Sequence, residues 1–176
     1  MTEPTIEPPV SRNDDDDDLP GLNGALVNFT GCIGEAFPDI CSYGLTYGAA
    51  YVPFAPDPDD ELCDEDEMMC SQLWVRVMSV APSPGSVEAW QGTCAIELTV
   101  EIEVGISRCV GIPEGGEAPT ATDALEAALQ ATSDMNLILC TAMDCEQWSS
   151  ISVGSWTPDG PMGGMYGGVW TFTVTF

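Results

Sequence analysis

Carboxylates are the main chemical resource of this chain. Glu97, Glu101 and Glu103 fall at odd positions in the run AIELTVEIEV. In a strand, such alternation places side chains on one side. Paired carboxylates are the machinery of glycoside hydrolysis. Here their neighbours are more carboxylates, with no basic or aromatic sugar platform, so the expected role is a solvated acidic strand face. A second run holds eight acids between Asp57 and Glu67 and invites a calcium reading. Asp57, Asp59, Asp60, Glu61 and Asp64 lack the central Gly and twelfth-position Glu of an EF-hand. A solvated or partner-facing loop is the simpler expectation.

Eight cysteines stand at 32, 41, 63, 70, 94, 109, 140 and 145. The spacings Cys63-x6-Cys70 and Cys140-x4-Cys145 are loose for zinc knuckles. Disulfides call for an export route, and the opening MTEPTIEPPVSRNDDDDD has neither the basic nor the apolar region of a secretory signal. Reduced, mostly buried thiols are therefore expected, with disulfides and metal ligation as the alternatives. No cofactor or metal is expected.

The charge balance excludes more. The chain sets 29 acids against three arginines (Arg12, Arg76, Arg108), without Lys or His, for a net charge of -26. A Ser-His triad, a Schiff base and a His-ligated metal are all out of reach. Phosphate-driven nucleic-acid binding needs Lys and Arg, and anionic membranes are disfavoured. No P-loop, no G-x-G-x-x-G after a strand, no G-x-S-x-G and no H-E-x-x-H occurs. The chain is not expected to be an enzyme. Arg76 and Arg108 are expected in structural ion pairs. An acidic, Lys-free surface also suits a high-salt environment, where screening relieves self-repulsion.

These residues need elements to position them. Residues 1–18, Pro-rich and then acidic, read as a disordered arm; residues 19–176 read as one domain. Leu22, Leu26, Phe29, Ile33 and Phe37 mark one face of a helix, closed by Pro38. A short extended piece is expected near 44–54. Strands are expected at 71–80 and 95–104, the latter with Ile96, Leu98, Val100, Ile102 and Val104 opposite the glutamates. Together they predict a hairpin across 81–93. A second helix starts at Thr120 or Thr122, with Asp123 and Glu126 near its positive end. Leu125, Ala128, Leu129, Thr132, Met135, Leu139 and Ala142 or Met143 trace its apolar stripe. A strand follows near 151–156, then the Gly/Pro-rich run TPDGPMGGMYGG, then a closing strand ending in VWTFTVTF. The fold class is α+β: a mostly antiparallel sheet of about four strands with two helices on one face, long acidic loops and the acidic arm.

The C-terminal part carries a resemblance. Trp156, Pro158, Gly160, Pro161, Gly163, Gly164, Gly167, Gly168, Trp170 and Thr171 compose a W-x-P-x-GP-x-GG-x-x-GG-x-W-T ending, and Glu103 to Cys109 an E-x-G-I-x-R-C stretch. With the runs between them, over roughly residues 70–176, they resemble the tail-terminator or head-to-tail connector proteins of long-tailed actinobacterial phages. The resemblance implies a small α+β subunit of a hexameric homo-oligomeric ring. That ring caps the tail tube and joins it to the head-completion (stopper) protein. It implies location at the virion's head-tail junction after assembly in the bacterial host cytoplasm, and no membrane contact.

On that expectation Glu97, Glu101 and Glu103, or the loop 57–67, face a channel through which double-stranded DNA slides without binding. Trp156, Pro158, Gly160, Pro161, Gly163, Gly164, Gly167, Gly168 and Trp170 are candidates for subunit or ring contacts. Three alternatives remain: the stopper ring of the same junction, an acidic DNA-mimic adaptor for a basic partner, and a disulfide-stapled or cation-binding exported module.

Overall fold

The structure, a computed structural model, describes residues 21–48, 71–83, 97–109, 120–145, 147–162 and 165–176. The expected arm 1–18, the acidic loop 57–67, Gly163, Gly164 and the side chain of Pro161 lie outside the described residues. The elements run α1 (Leu22–Glu35), β1 (Ser42–Tyr47), β2 (Gln72–Pro82), β3 (Leu98–Cys109), α2 (Ala121–Asp144), β4 (Ser150–Met162) and β5 (Met165–Thr175). The five strands form one sheet in the order β1-β2-β3-β5-β4.

The α+β class holds, but the sheet is mixed. β1 pairs parallel with β2, from Ser42 opposite Gln72 to Tyr47 opposite Val77; the other three pairings are antiparallel. A parallel neighbour needs a crossover connection of about a dozen residues or more. The sequence between Tyr47 and Gln72 is long enough for one, but its length alone does not show which side of β2 the chain returns to.

Both helices lie on one side of the sheet. α1 packs on β1 and β2, while α2 packs on β5 and β4, and the two helices touch. The five-residue apolar face read for α1 is the face it uses. Leu26, Phe29 and Ile33 are fully buried and Phe37 nearly so, with Leu22 packed against the same core. Opposite them stand Leu73, Val75 and Val77 of β2, Val100, Ile102, Val104 and Ile106 of β3, and Phe172 and Val174 of β5. Each large apolar side chain so buried contributes roughly 1.5–3 kcal/mol, which compensates for the glycines in α1.

α2 begins as read. Thr120 is the N-cap, its hydroxyl accepting from Asp123 N–H while the Asp123 carboxylate accepts from Thr120 N–H. This reciprocal box satisfies two otherwise orphan donors. The stripe read for this helix needs correction. Leu125 and Leu129 are exposed, and the buried positions are Asp134, Ile138 and Ala142. The turns that carry Leu125 and Leu129 set alanines toward β4 and β5, so the leucines meet solvent rather than core.

The cysteine expectation is also corrected. Cys32, near the end of α1, is bonded to Cys145, the C-cap of α2, with Cα atoms 6.4 Å apart and 113 residues between them in sequence. Cys41 and Cys109 are disulfide-bonded as well, and Cys140 is an exposed free thiol. Disulfides require Cα atoms brought within about 7 Å. Only the packing of α1 against α2 provides that closeness.

Candidate functional site

The strand alternation divides the sheet into two chemically different faces. On the helix-covered face, β3 presents Val100, Ile102, Val104, Ile106 and then Arg108. On the open face it presents Glu101, Glu103, Gly105 and Ser107. Register extends that open face across the sheet: Glu103 lies opposite Arg76 and Thr171, and Glu101 opposite Ser79 and Thr173. β5 pairs Thr173 in turn with Ser152. The open face is thus hydroxyl-rich and acidic.

Two of the three expected channel residues share this face. Glu101 is exposed, and its Oε2 accepts from Ser79 Oγ at 3.3 Å. Glu103 is more committed. Both its oxygens accept from Arg76 Nη2, at 2.7 and 2.8 Å, and Oε1 also accepts from Trp74 Nε1 at 3.3 Å. Trp74 lies over Gly105, where an added Cβ would sit 2.2 Å from the indole ring. Glu97 is exposed and stands just before β3, its carbonyl accepting from Ser83 N–H.

The other arginine was expected in an ion pair, and its position makes that pair a buried centre. Arg108 is 9% exposed and Asp134, from α2, is 2% exposed. Nε and Nη2 donate to the two Asp134 oxygens at 2.7 and 3.0 Å, a fork-to-fork pair. Nη1 donates to Asp39 Oδ2 at 2.7 Å, and Gln130 Nε2 donates to Asp134 Oδ1 at 2.9 Å. The centre joins β3, α2 and the α1–β1 connection. Burial works against the Arg108 charge, but the bonds to Asp134 and Asp39 outweigh it and raise its pKa. The Asp39 carboxyl is held below its usual range chiefly by its hydrogen bonds from Arg108, against a smaller burial effect. Tyr166, opposite Arg108 on β5, is pushed up by burial, with Arg108 opposing. Asp39 and Asp134 were not singled out from the sequence. An Arg at a core-facing parity of β3 was the available signal that a carboxylate must meet it.

The expected contact motif falls on one hairpin. Trp156, Pro158 and Gly160 lie on β4, and Gly167, Gly168 and Trp170 on β5. Both strands extend into the Gly/Pro-rich run, β4 to Met162 and β5 from Met165, where the sequence pattern places an interval between strands. β4 is an edge strand, where prolines do not interrupt a ladder. The glycines serve close approach within the chain. A Cβ on Gly167 would strike the Ile106 carbonyl, and one on Gly168 would meet the Trp156 ring at 2.4 Å. Trp170 packs beside Trp156, with centroids 6.0 Å apart, and its Nε1 donates to Met135 O at 2.8 Å, tying the hairpin to α2.

Between the hairpin and the first half of α2 runs an open apolar groove of about 410 Å³. One wall is Ala124, Ala127, Ala128 and Ala131 of α2. The other includes Trp156, Pro158 and Tyr166. Among the described residues no group of three or more His, Cys, Asp or Glu is placed to hold a metal. Nor is any described helix long and apolar enough to cross a membrane. The chain matches no protein-family model. No curated protein matches it at a significant level.

Proposed function

We propose that the chain is an architectural subunit of a phage head-tail connector, of the tail-terminator kind. In this reading it forms a hexameric ring between the tail tube and the head-completion protein, and its open sheet face lines the passage for DNA. The observation that carries the reading is the two-faced sheet. Helices, ion pairs and disulfides stiffen one side, while the other side displays Glu101 among hydroxyls and, among the described residues, has one cation, Arg76, already paired with Glu103. Such a wall repels phosphate and offers it little to bind. The disulfides fit a particle that works after leaving the reducing cytoplasm. The stopper ring of the same junction has the same requirements and stands within this reading.

The test is imaging of the purified chain by negative stain with mass by light scattering. Rings of six copies are the expected result. A chain that stays monomeric in isolation and when mixed with tail tubes would overturn the reading. Lumen placement is tested separately by Glu97→Lys with Glu101→Lys, which spares the Glu103–Arg76 pair. DNA release should slow while rings still form.

The disulfides favour a second reading, an exported module stapled by cystines. It predicts a secreted, monomeric protein with no affinity for tail tubes, so the same experiment separates the two.

A further inference from the structure

Between Ala127 and Met143, α2 carries a single charged residue, Asp134, and that carboxylate is buried against Arg108. The outer side of the helix is therefore uncharged over this length, in a chain of net charge -26. What it displays instead is a mixture of apolar side chains and neutral polar ones such as Gln130, Ser133 and Asn136; the charge resumes at the exposed Glu126, next to Leu125. Leu129 is 63% exposed and Leu125, one turn earlier, 60%; Leu137 and Met143 are exposed further along. Beside them the helix contributes small alanines to the groove shared with the β4–β5 hairpin.

We infer that this uncharged side of α2, together with the groove along it, is the surface on which a second copy of the chain docks. Two ionised groups about 4 Å apart repel by roughly 1 kcal/mol even in water, and by more as a contact dries. Copies of this acidity meet most closely where each brings few carboxylates; Asp159 is the one carboxylate among the residues lining the groove. A basic partner has the opposite preference and is drawn to acidic surfaces such as the one around Glu101. The partner for which a neutral contact is a requirement is an equally acidic one.

Size requires more than the helix alone. The 24 residues of α2 span ~36 Å at ~1.5 Å per residue. A stripe of that length and about 10 Å width falls short of the ~800 Å² per partner of a standard interface. The hairpin wall of Trp156, Pro158 and Tyr166 adds surface, so the docked copy covers both the exposed leucines of α2 and the groove beside them. This docking surface rests on the connector reading for the number of copies, though not for the contact itself.

The experiment is light scattering of the full chain as salt rises from about 0.05 M to about 1 M, a range over which the screening length shrinks severalfold. The particle mass should rise with salt. Leu129→Glu, and independently Leu125→Glu, should hold the chain monomeric throughout, with circular dichroism and melting temperature unchanged. Val80→Glu, at another exposed apolar position (48%) on β2, should assemble normally. A wild-type chain that is monomeric at every salt, or both α2 variants assembling like wild type, would overturn the docking surface. Rings that persist in both variants would overturn it while leaving the connector reading intact. Dimers or open chains abolished by Leu129→Glu would support the docking surface and count against the ring.

Discussion

The two sides of the sheet each hold one arginine, and the pair shows how a cover changes what a charge does. Arg108, beneath α2, is forked onto a carboxylate that is 2% exposed and clamps a second from the α1–β1 connection. Arg76, on the side without helices, meets Glu103 at a similar distance, but with fewer elements depending on it. On the covered side the ion pair fixes three elements in register. On the open side it leaves a nearly cation-free acidic wall. The two arginines are similarly enclosed, 13% exposed at the Arg76 side chain and 11% at Arg108, so the difference lies in the partner: Asp134 is 2% exposed and Glu103 14%, and removing the arginine strands the deeper carboxylate more severely.

The contrast is broken most severely at Arg108. Arg108→Met should leave Asp134 buried and uncompensated, at a cost of roughly 3–5 kcal/mol, read as a lower urea midpoint. Adding Asp134→Leu should recover much of the loss, since the stranded charge is then gone. Next is the covalent counterpart on the same side. Cys32→Ser with Cys145→Ser should cost about 2–4 kcal/mol, measured by thermal melting. An unchanged midpoint would mean that the α1–α2 contact needs no staple.

Glycine substitutions extend the comparison to close packing. Gly167→Ala places its Cβ against backbone, the Ile106 carbonyl, and should cost about 1–3 kcal/mol. Gly105→Ala displaces a side chain, Trp74, and should cost less in the same denaturation assay. Arg76→Gln leaves Glu103, 14% exposed, with its bond from Trp74, and should cost about 1–3 kcal/mol. A loss matching that of Arg108→Met would erase the distinction between the faces.

The smallest effect is the one that depends on pH. Asp39 is lowered in the folded state, so its contribution is present above the unfolded carboxylate pKa of about 3.9. It is lost as pH falls through the lower folded value. Asp39→Asn should flatten the acid limb of the stability profile below about pH 4, and superimposable wild-type and variant profiles would contradict the assignment.

Much of the local structure was legible in the residues. The spacing of Leu22, Leu26, Phe29 and Ile33 found α1 and its buried face because the period of a helix is intrinsic to its backbone. Thr120 and Thr122 both stood as N-cap candidates for α2 from the sequence; the capping box with Asp123, completed within four residues, selects Thr120. Val100, Ile102 and Val104 against Glu101 and Glu103 identified the faces of β3 for the same kind of reason.

The candidate site was legible only in part. The parity of Glu101 and Glu103 was evident, but the pairing of Glu103 with Arg76 depends on strand register. The glycines of the hairpin signalled close approach without naming Ile106 or Trp156 as the neighbour. Leu125 and Leu129 have the spacing of a buried stripe, yet on those turns α2 sets alanines toward the hairpin and leaves both leucines exposed.

The sequence by itself determined the two helices, the strands β2 and β3, the apolar sides of α1 and β3, and a composition that is acidic and nearly free of cations. Those properties follow from backbone periodicity, capping and net charge, all local or additive. Tertiary structure alone decided the parallel pairing of β1, the meeting of Cys32 with Cys145, and the joining of Arg108 to Asp134 and Asp39. It also decided that an uncharged apolar stretch of α2 remains open. Each depends on which distant segments are brought within a few ångströms of each other, and that is settled by packing the whole chain around one core.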